Sequence, residues 1–69
     1  MSEFIGANVR LIRLFHDLSL TDLGEQVGVS KQFLSRVETG AESVSAHLES
    51  SLAETLGVLP EFFYHVDPN

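Results

Sequence analysis

The sequence predicts an all-α fold of five short helices, and three observations carry that expectation. Gly28, Gly40 and Gly57 each follow a stretch with helical periodicity, where a residue with positive φ closes the last turn at no steric cost. Ser19, Ser30 and Ser45 stand just ahead of such stretches, where a hydroxyl can accept from an unpaired helix N–H. No segment alternates apolar and polar residues with period two, so no strand is expected.

The first helix is expected from about Ser2 to His16, with Ile5, Val9 and Ile12 on one face. The second follows Ser19 and ends before Gly28, and Asp22, three residues past the cap, comes close to a capping box. The third runs from Lys31 to about Thr39 and turns Leu34 and Val37 inward, with Val29 beside them. The fourth follows Ser45 and reaches Leu56 through Leu52 and Ala53. Pro60 suits the first position of a short fifth helix ending near Tyr64, because its missing N–H would be unpaired there in any case. At 69 residues, 43% hydrophobic and 20% charged, the chain is expected to be one small folded domain spanning residues 1–69.

Composition removes several function classes. Without cysteine there is no disulfide framework, thiolate metal site or cysteine nucleophile. His16, His47 and His65 lie far apart with no helical i, i+4 pairing, so neither a metal site nor any other cofactor is expected. No serine has a sequence-readable base and orienting acid, and there is no glycine-rich phosphate loop, so no catalytic residue and no enzyme is expected. No apolar run approaches the roughly 18 residues of a spanning helix and no signal peptide is visible, which points to the cytoplasm and away from a membrane.

The formal net charge of -6 hides an asymmetry. Residues 1 to 36 carry Arg10, Arg13, Lys31 and Arg36 against Glu3, Asp17, Asp22 and Glu25, whereas the rest carry Glu38, Glu42, Glu49, Glu54, Glu61 and Asp67 against no cation. An acidic total is thus compatible with a basic surface on the first half.

Helices two and three are joined by "GVS", a turn of the length found in a helix-turn-helix, and Gly24 in helix two would allow a close approach. The stretch "IGANVRLIRLFHDLSLTDLGEQVGVSKQFLSRVETG", followed by "LAETLGV", resembles the Cro/C1-type (XRE-type) helix-turn-helix family over residues 5 to 64. The matching elements are Ile5 and Gly6, Leu18 and Ser19, Leu23, Gly28 to Ser30, Ser35 to Glu38, Gly40, and Leu52 to Val58.

That resemblance implies a compact, lambda-repressor-like domain of five helices. It implies a transcription regulator, repressor-like, that reads the major groove of double-stranded DNA with its third helix. It further implies a homodimer on a pseudo-palindromic operator. Carried onto matching positions, it assigns base contacts to Lys31, Gln32 and Arg36, with Ser35 and Phe33 beside them. Arg36 suits guanine O6 and N7, Gln32 suits adenine N6 and N7, Lys31 suits guanine or a phosphate, and Phe33 could press on a thymine methyl. Phosphate contacts fall to Arg10, Ser19 and Ser30. Arg13 and Glu38 match the positions of a structural ion pair between helix one and the end of the recognition helix.

Three departures from the family pattern weaken phosphate binding or alter packing. Leu20 stands where many members carry a phosphate-touching glutamine, Ala41 and Glu42 stand in a loop that is commonly basic, and Ala46 and Glu49 replace larger apolar residues of helix four. In addition, Phe4, Ile5, Ala7, Val9, Leu11, Ile12, Leu14 and Phe15 fill more than half the circumference of helix one at roughly 100° per residue. Such an arc is either covered by helix five, with its Phe62, Phe63 and Tyr64, or exposed as a docking patch. The rival function is therefore an acidic protein-interaction module, for example an antirepressor, on the same fold. A third reading is the DNA-binding end of a longer chain with a sensor domain.

Overall fold

The structure, a computed structural model, describes residues 3–65. Among them are four α-helices, α1 (Gly6–Phe15), α2 (Leu20–Val27), α3 (Lys31–Thr39) and α4 (Ala46–Leu56), followed by a 3-10 turn at Pro60–Tyr64. The described residues contain no strand.

The helix starts are set locally. Ser19 Oγ accepts from the Asp22 N–H at 2.9 Å and the Ser19 N–H donates to Asp22 Oδ2 at 3.3 Å, a complete capping box with aspartate in the usual place of glutamate. Ser30 accepts from the Phe33 N–H at 3.0 Å and Ser45 from the Leu48 N–H at 3.1 Å. Gly28, Gly40 and Gly57 follow α2, α3 and α4 with φ of 81°, 85° and 71°.

Two expected boundaries are corrected. The first helix was expected from Ser2; that residue lies outside the described ones, Glu3 to Ile5 are not helical, and α1 begins at Gly6. Ile5 is extended because its N–H donates to the Phe63 carbonyl at 2.7 Å, while Phe4 packs on Phe63 and Tyr64 with ring centroids 5.3 and 5.8 Å away. A tertiary bond and two ring contacts thus replace what would have been the first helical turn. The fifth helix is a 3-10 turn rather than an α-helix, so the count is four helices and a turn. At five residues it has little room for i→i+4 bonds, and its backbone is engaged outward instead. The Asn8 amide donates to the carbonyls of Phe62 and His65 at 3.0 and 2.9 Å.

The helices pack around one core. α1 lies against α3, α4 and the 3-10 turn, and α2 lies against α3 and α4. Val9, Leu23, Leu34, Leu52, Leu56 and Phe63 are buried at its centre. Fully burying such side chains contributes about 1.5–3 kcal/mol each. Leu20, one of the departures, is half-buried against this core.

The apolar arc of α1 splits between the two readings. Val9 is buried, and Phe4 and Ile12 pack on the core, but Leu11, Leu14 and Phe15 stay exposed, Phe15 at 79%. Leu59 is also exposed. No described helix is long and apolar enough to cross a membrane.

Candidate nucleic-acid interface

α2, the "GVS" turn and α3 form the helix-turn-helix, and close backbone contact locks its geometry. A Cβ at Gly24 would lie 2.6 Å from the Val29 carbonyl oxygen, so any larger side chain there would push the turn away. Gly6 does the same one layer below, where a Cβ would come within 1.8 Å of the Val37 carbonyl oxygen. The first residue of α1 therefore rests directly on the α3 backbone.

The base of α3 is held by an ion pair. Arg13 Nε donates to Glu38 Oε2 at 2.7 Å and Arg13 Nη2 to Glu38 Oε1 at 3.0 Å, a bidentate pair. Its Nη1 donates to the Leu18 carbonyl at 2.8 Å, so one guanidinium ties α1, the loop before α2, and α3 together. Arg13 and Glu38 are only 7% and 8% exposed. The hydrogen bond to Glu38 raises the Arg13 pKa further above its already high value, so this charge is permanent.

With Leu34, Val37 and Glu38 turned inward, α3 presents its other side to solvent. At roughly 100° per residue, Lys31, Ser35, Gln32 and Arg36 fall at about 0°, 40°, 100° and 140° around the axis. Lys31, Gln32 and Arg36 are exposed, whereas Ser35 and Phe33 are half-buried. Phe33 packs against the core, and the Arg36 guanidinium carbon lies 5.8 Å from its ring centroid, within cation–π range. This polar face runs from the first turn of the second helix of the motif to its last, on the helix that enters a major groove in such proteins.

The remaining candidates are scattered. Ser19 and Ser30 are exposed and accept at their caps, leaving each hydroxyl hydrogen free to donate. Asp22 closes the N-terminus of α2, however, and so sets a carboxylate where an anion would otherwise be favoured. Arg10 is exposed on α1 and, like Lys31, has no carboxylate within salt-bridge distance among the described residues.

Arg36 does have one. Its Nε donates to Glu42 Oε1 at 3.2 Å, with side chains 52% and 36% exposed. The family resemblance assigns Arg36 a base contact and implies no such partner. The signal was available in the spacing, since a left-handed glycine at position 40 turns the chain back and brings a residue six positions on beside the last turn of α3. Glu49, another departure, accepts from the Tyr64 hydroxyl and thereby ties α4 to the 3-10 turn.

A family model described as a helix-turn-helix domain matches residues 5–61. The chain is 37% identical over 54 residues to the antitoxin PezA of Streptococcus pneumoniae, covering 78% of this chain and 34% of that protein. Among solved structures it is similar to the clp gene regulator ClgR of Corynebacterium glutamicum, at 34% identity and a TM-score of 0.77, covering 80% of this chain and 58% of that one. It is also similar to the restriction-modification controller protein C.AhdI of Aeromonas hydrophila, at 27% identity and a TM-score of 0.80, covering 86% and 89%.

The chain belongs to the helix-turn-helix domain family, of the XRE (Cro/C1) type, a class of DNA-binding transcription regulators. It spans between 34% and 46% of the length of the curated relatives it matches.

Proposed function

We propose that residues 1–69 act as one binding domain, not an enzyme, that reads double-stranded DNA in the cytoplasm as a repressor-like transcription regulator. In this reading α3 lies in the major groove, with Gln32 at adenine, Arg36 at guanine and Lys31 at guanine or phosphate. Ser35 and Phe33 stand beside them, and Arg10, Ser19 and Ser30 face the backbone. Two copies bind a pseudo-palindromic site, with half-sites about 34 Å apart. The observation that carries the reading is the exposed Lys31–Gln32–Arg36 face on α3, held rigidly by the Gly24 contact and the Arg13–Glu38 pair.

Selection of bound fragments from random duplex DNA at low and moderate salt tests it. A pseudo-palindromic motif should emerge, and sedimentation should give the mass of two chains, alone at micromolar concentration or on the selected site. Failure to enrich any sequence would refute the reading. A second reading then takes over, favoured by the exposed Leu11, Leu14 and Phe15 on α1 and by the net charge of -6: a module that binds another protein, such as an antirepressor.

A further inference from the structure

The acid in the loop after α3 has a placement that a merely solvated carboxylate would not need. α3 ends at Thr39, and Gly40 at φ 85° reverses the chain, so that the Ala41 N–H donates to the Arg36 carbonyl at 2.8 Å. The Thr39 hydroxyl donates to the same carbonyl at 3.2 Å. The turn is thus wrapped around Arg36, and it delivers Glu42 to the Nε edge of that guanidinium at 3.2 Å. The Phe33 ring lies beneath, 5.8 Å from the guanidinium carbon.

We propose that Glu42 is a positioning residue for Arg36, which it holds from the Nε side so that the outer Nη1/Nη2 edge is set to meet one guanine; this rests on the reading of Arg36 as a base contact. A guanidinium carries five N–H donors in a rigid fork, and a bidentate base contact needs only one edge of it. Glu42 takes the Nε edge. Among the described residues neither Nη1 nor Nη2 has a hydrogen-bond partner. A flexible side chain fixed on one edge by a carboxylate and on one face by an aromatic ring loses less freedom when it binds. The acid in a loop where a cation would touch phosphate then makes sense: it exchanges general affinity for discrimination at one base pair.

The two effects of Glu42 have opposite signs, which makes them separable. As a charge near phosphate it weakens binding to every duplex; as a positioning residue it strengthens binding only where the guanine is present. Binding of wild type, Glu42→Ala and Glu42→Gln is measured on the selected site, on the same site with that guanine pair replaced, and on a scrambled duplex. Glu42→Ala should lower the preference for guanine about fivefold or more, the lower end of what one bidentate contact discriminates. Scrambled binding should hold or rise. Glu42→Gln, which keeps a neutral acceptor, should restore part of the preference. In an Arg36→Ala background Glu42→Ala should leave the remaining preference unchanged. Glu61→Gln removes the same charge from the 3-10 turn and should move all three duplexes together.

A preference that stays constant or rises in Glu42→Ala would overturn the proposal, a rise meaning that Glu42 competes with the base for Arg36. So would an Arg36 Hε resonance in the DNA-free protein that does not move on Glu42→Ala. If wild type selects no site at all, the base-reading role itself falls, and the positioning role falls with it.

Discussion

Glu38→Gln is the most direct test of how the reading helix is held. In the native protein two Arg13 N–H groups meet the two carboxylate oxygens at 2.7 and 3.0 Å, and both residues are more than nine-tenths buried. Glutamine keeps the shape but offers one acceptor, and its NH2 group faces an Arg13 donor. The guanidinium charge, whose remaining bond goes to the Leu18 carbonyl, is then buried without compensation. Breaking such a pair from one side costs about 3–5 kcal/mol. A chain of this size has a total stability of about 3–10 kcal/mol, so the loss is a large share of it. At about 4–8 °C per kcal/mol, Tm should fall by more than about 10 °C in thermal unfolding followed by far-UV circular dichroism. The double substitution Arg13→Met with Glu38→Leu should lose less, because it removes the charge together with the cost of burying it. Raising the salt to about 1 M should leave the deficit nearly intact, since a buried pair is poorly screened. A Glu38→Gln protein that melts within a degree or two of wild type, or whose deficit vanishes in salt, would refute the reasoning.

On DNA, Gln32→Ala should lose about 1–3 kcal/mol on the selected site and relax preference at one base pair per half-site, with scrambled binding little changed; equal losses in a titration against both duplexes would contradict base reading by Gln32. Arg10→Ala should weaken all sequences together and reduce the salt slope by about 0.9, the contribution of one phosphate contact, in titrations at several salt concentrations. Gly6→Ala should destabilise more than Gly24→Ala in urea unfolding, because the added methyl meets the Val37 carbonyl at 1.8 Å and the Val29 carbonyl at 2.6 Å respectively, and overpacking typically costs about 1–3 kcal/mol. Tyr64, the only tyrosine, should ionise above its ordinary value of 10.0, because its hydroxyl donates to the Glu49 carboxylate. The protonated hydroxyl is the form the fold favours, so this contribution is fully present below about pH 10 and is lost as pH rises through the raised value. An ultraviolet titration should show the midpoint falling in Glu49→Gln, and a wild-type midpoint at or below 10 would count against the bond.

The sequence makes a residue's task legible where that task is local. Ser19, Ser30 and Ser45 cap helices with N–H groups three residues away, and Gly28, Gly40 and Gly57 take up the left-handed φ that their place after a helix demands. The apolar spacing of Leu34 and Val37 likewise decides which side of α3 is left for solvent. The start of α1 was misplaced because the Ile5 N–H has a partner 58 residues on, in Phe63, that helical periodicity cannot reveal. The same limit applies to the terminal segment, where Pro60 suits the start of a fifth helix that forms only as a 3-10 turn, its Phe62 carbonyl and that of the following His65 serving Asn8.

The sequence by itself determined the helical class, the order and ends of most elements, and the polar face of α3, because these follow from hydrogen bonds and periodicities spanning a few residues. Its resemblance to a known family set Arg13 beside Glu38. Only the tertiary structure decided that Gly6 rests on the α3 backbone, that Leu11, Leu14 and Phe15 stay in water while their neighbours are buried, and that Glu42 folds back onto Arg36. These depend on where one helix or turn lies against another. The positions of backbone carbonyls and charged ends in space are set by the packing of the whole core, not by the residues nearby in the chain.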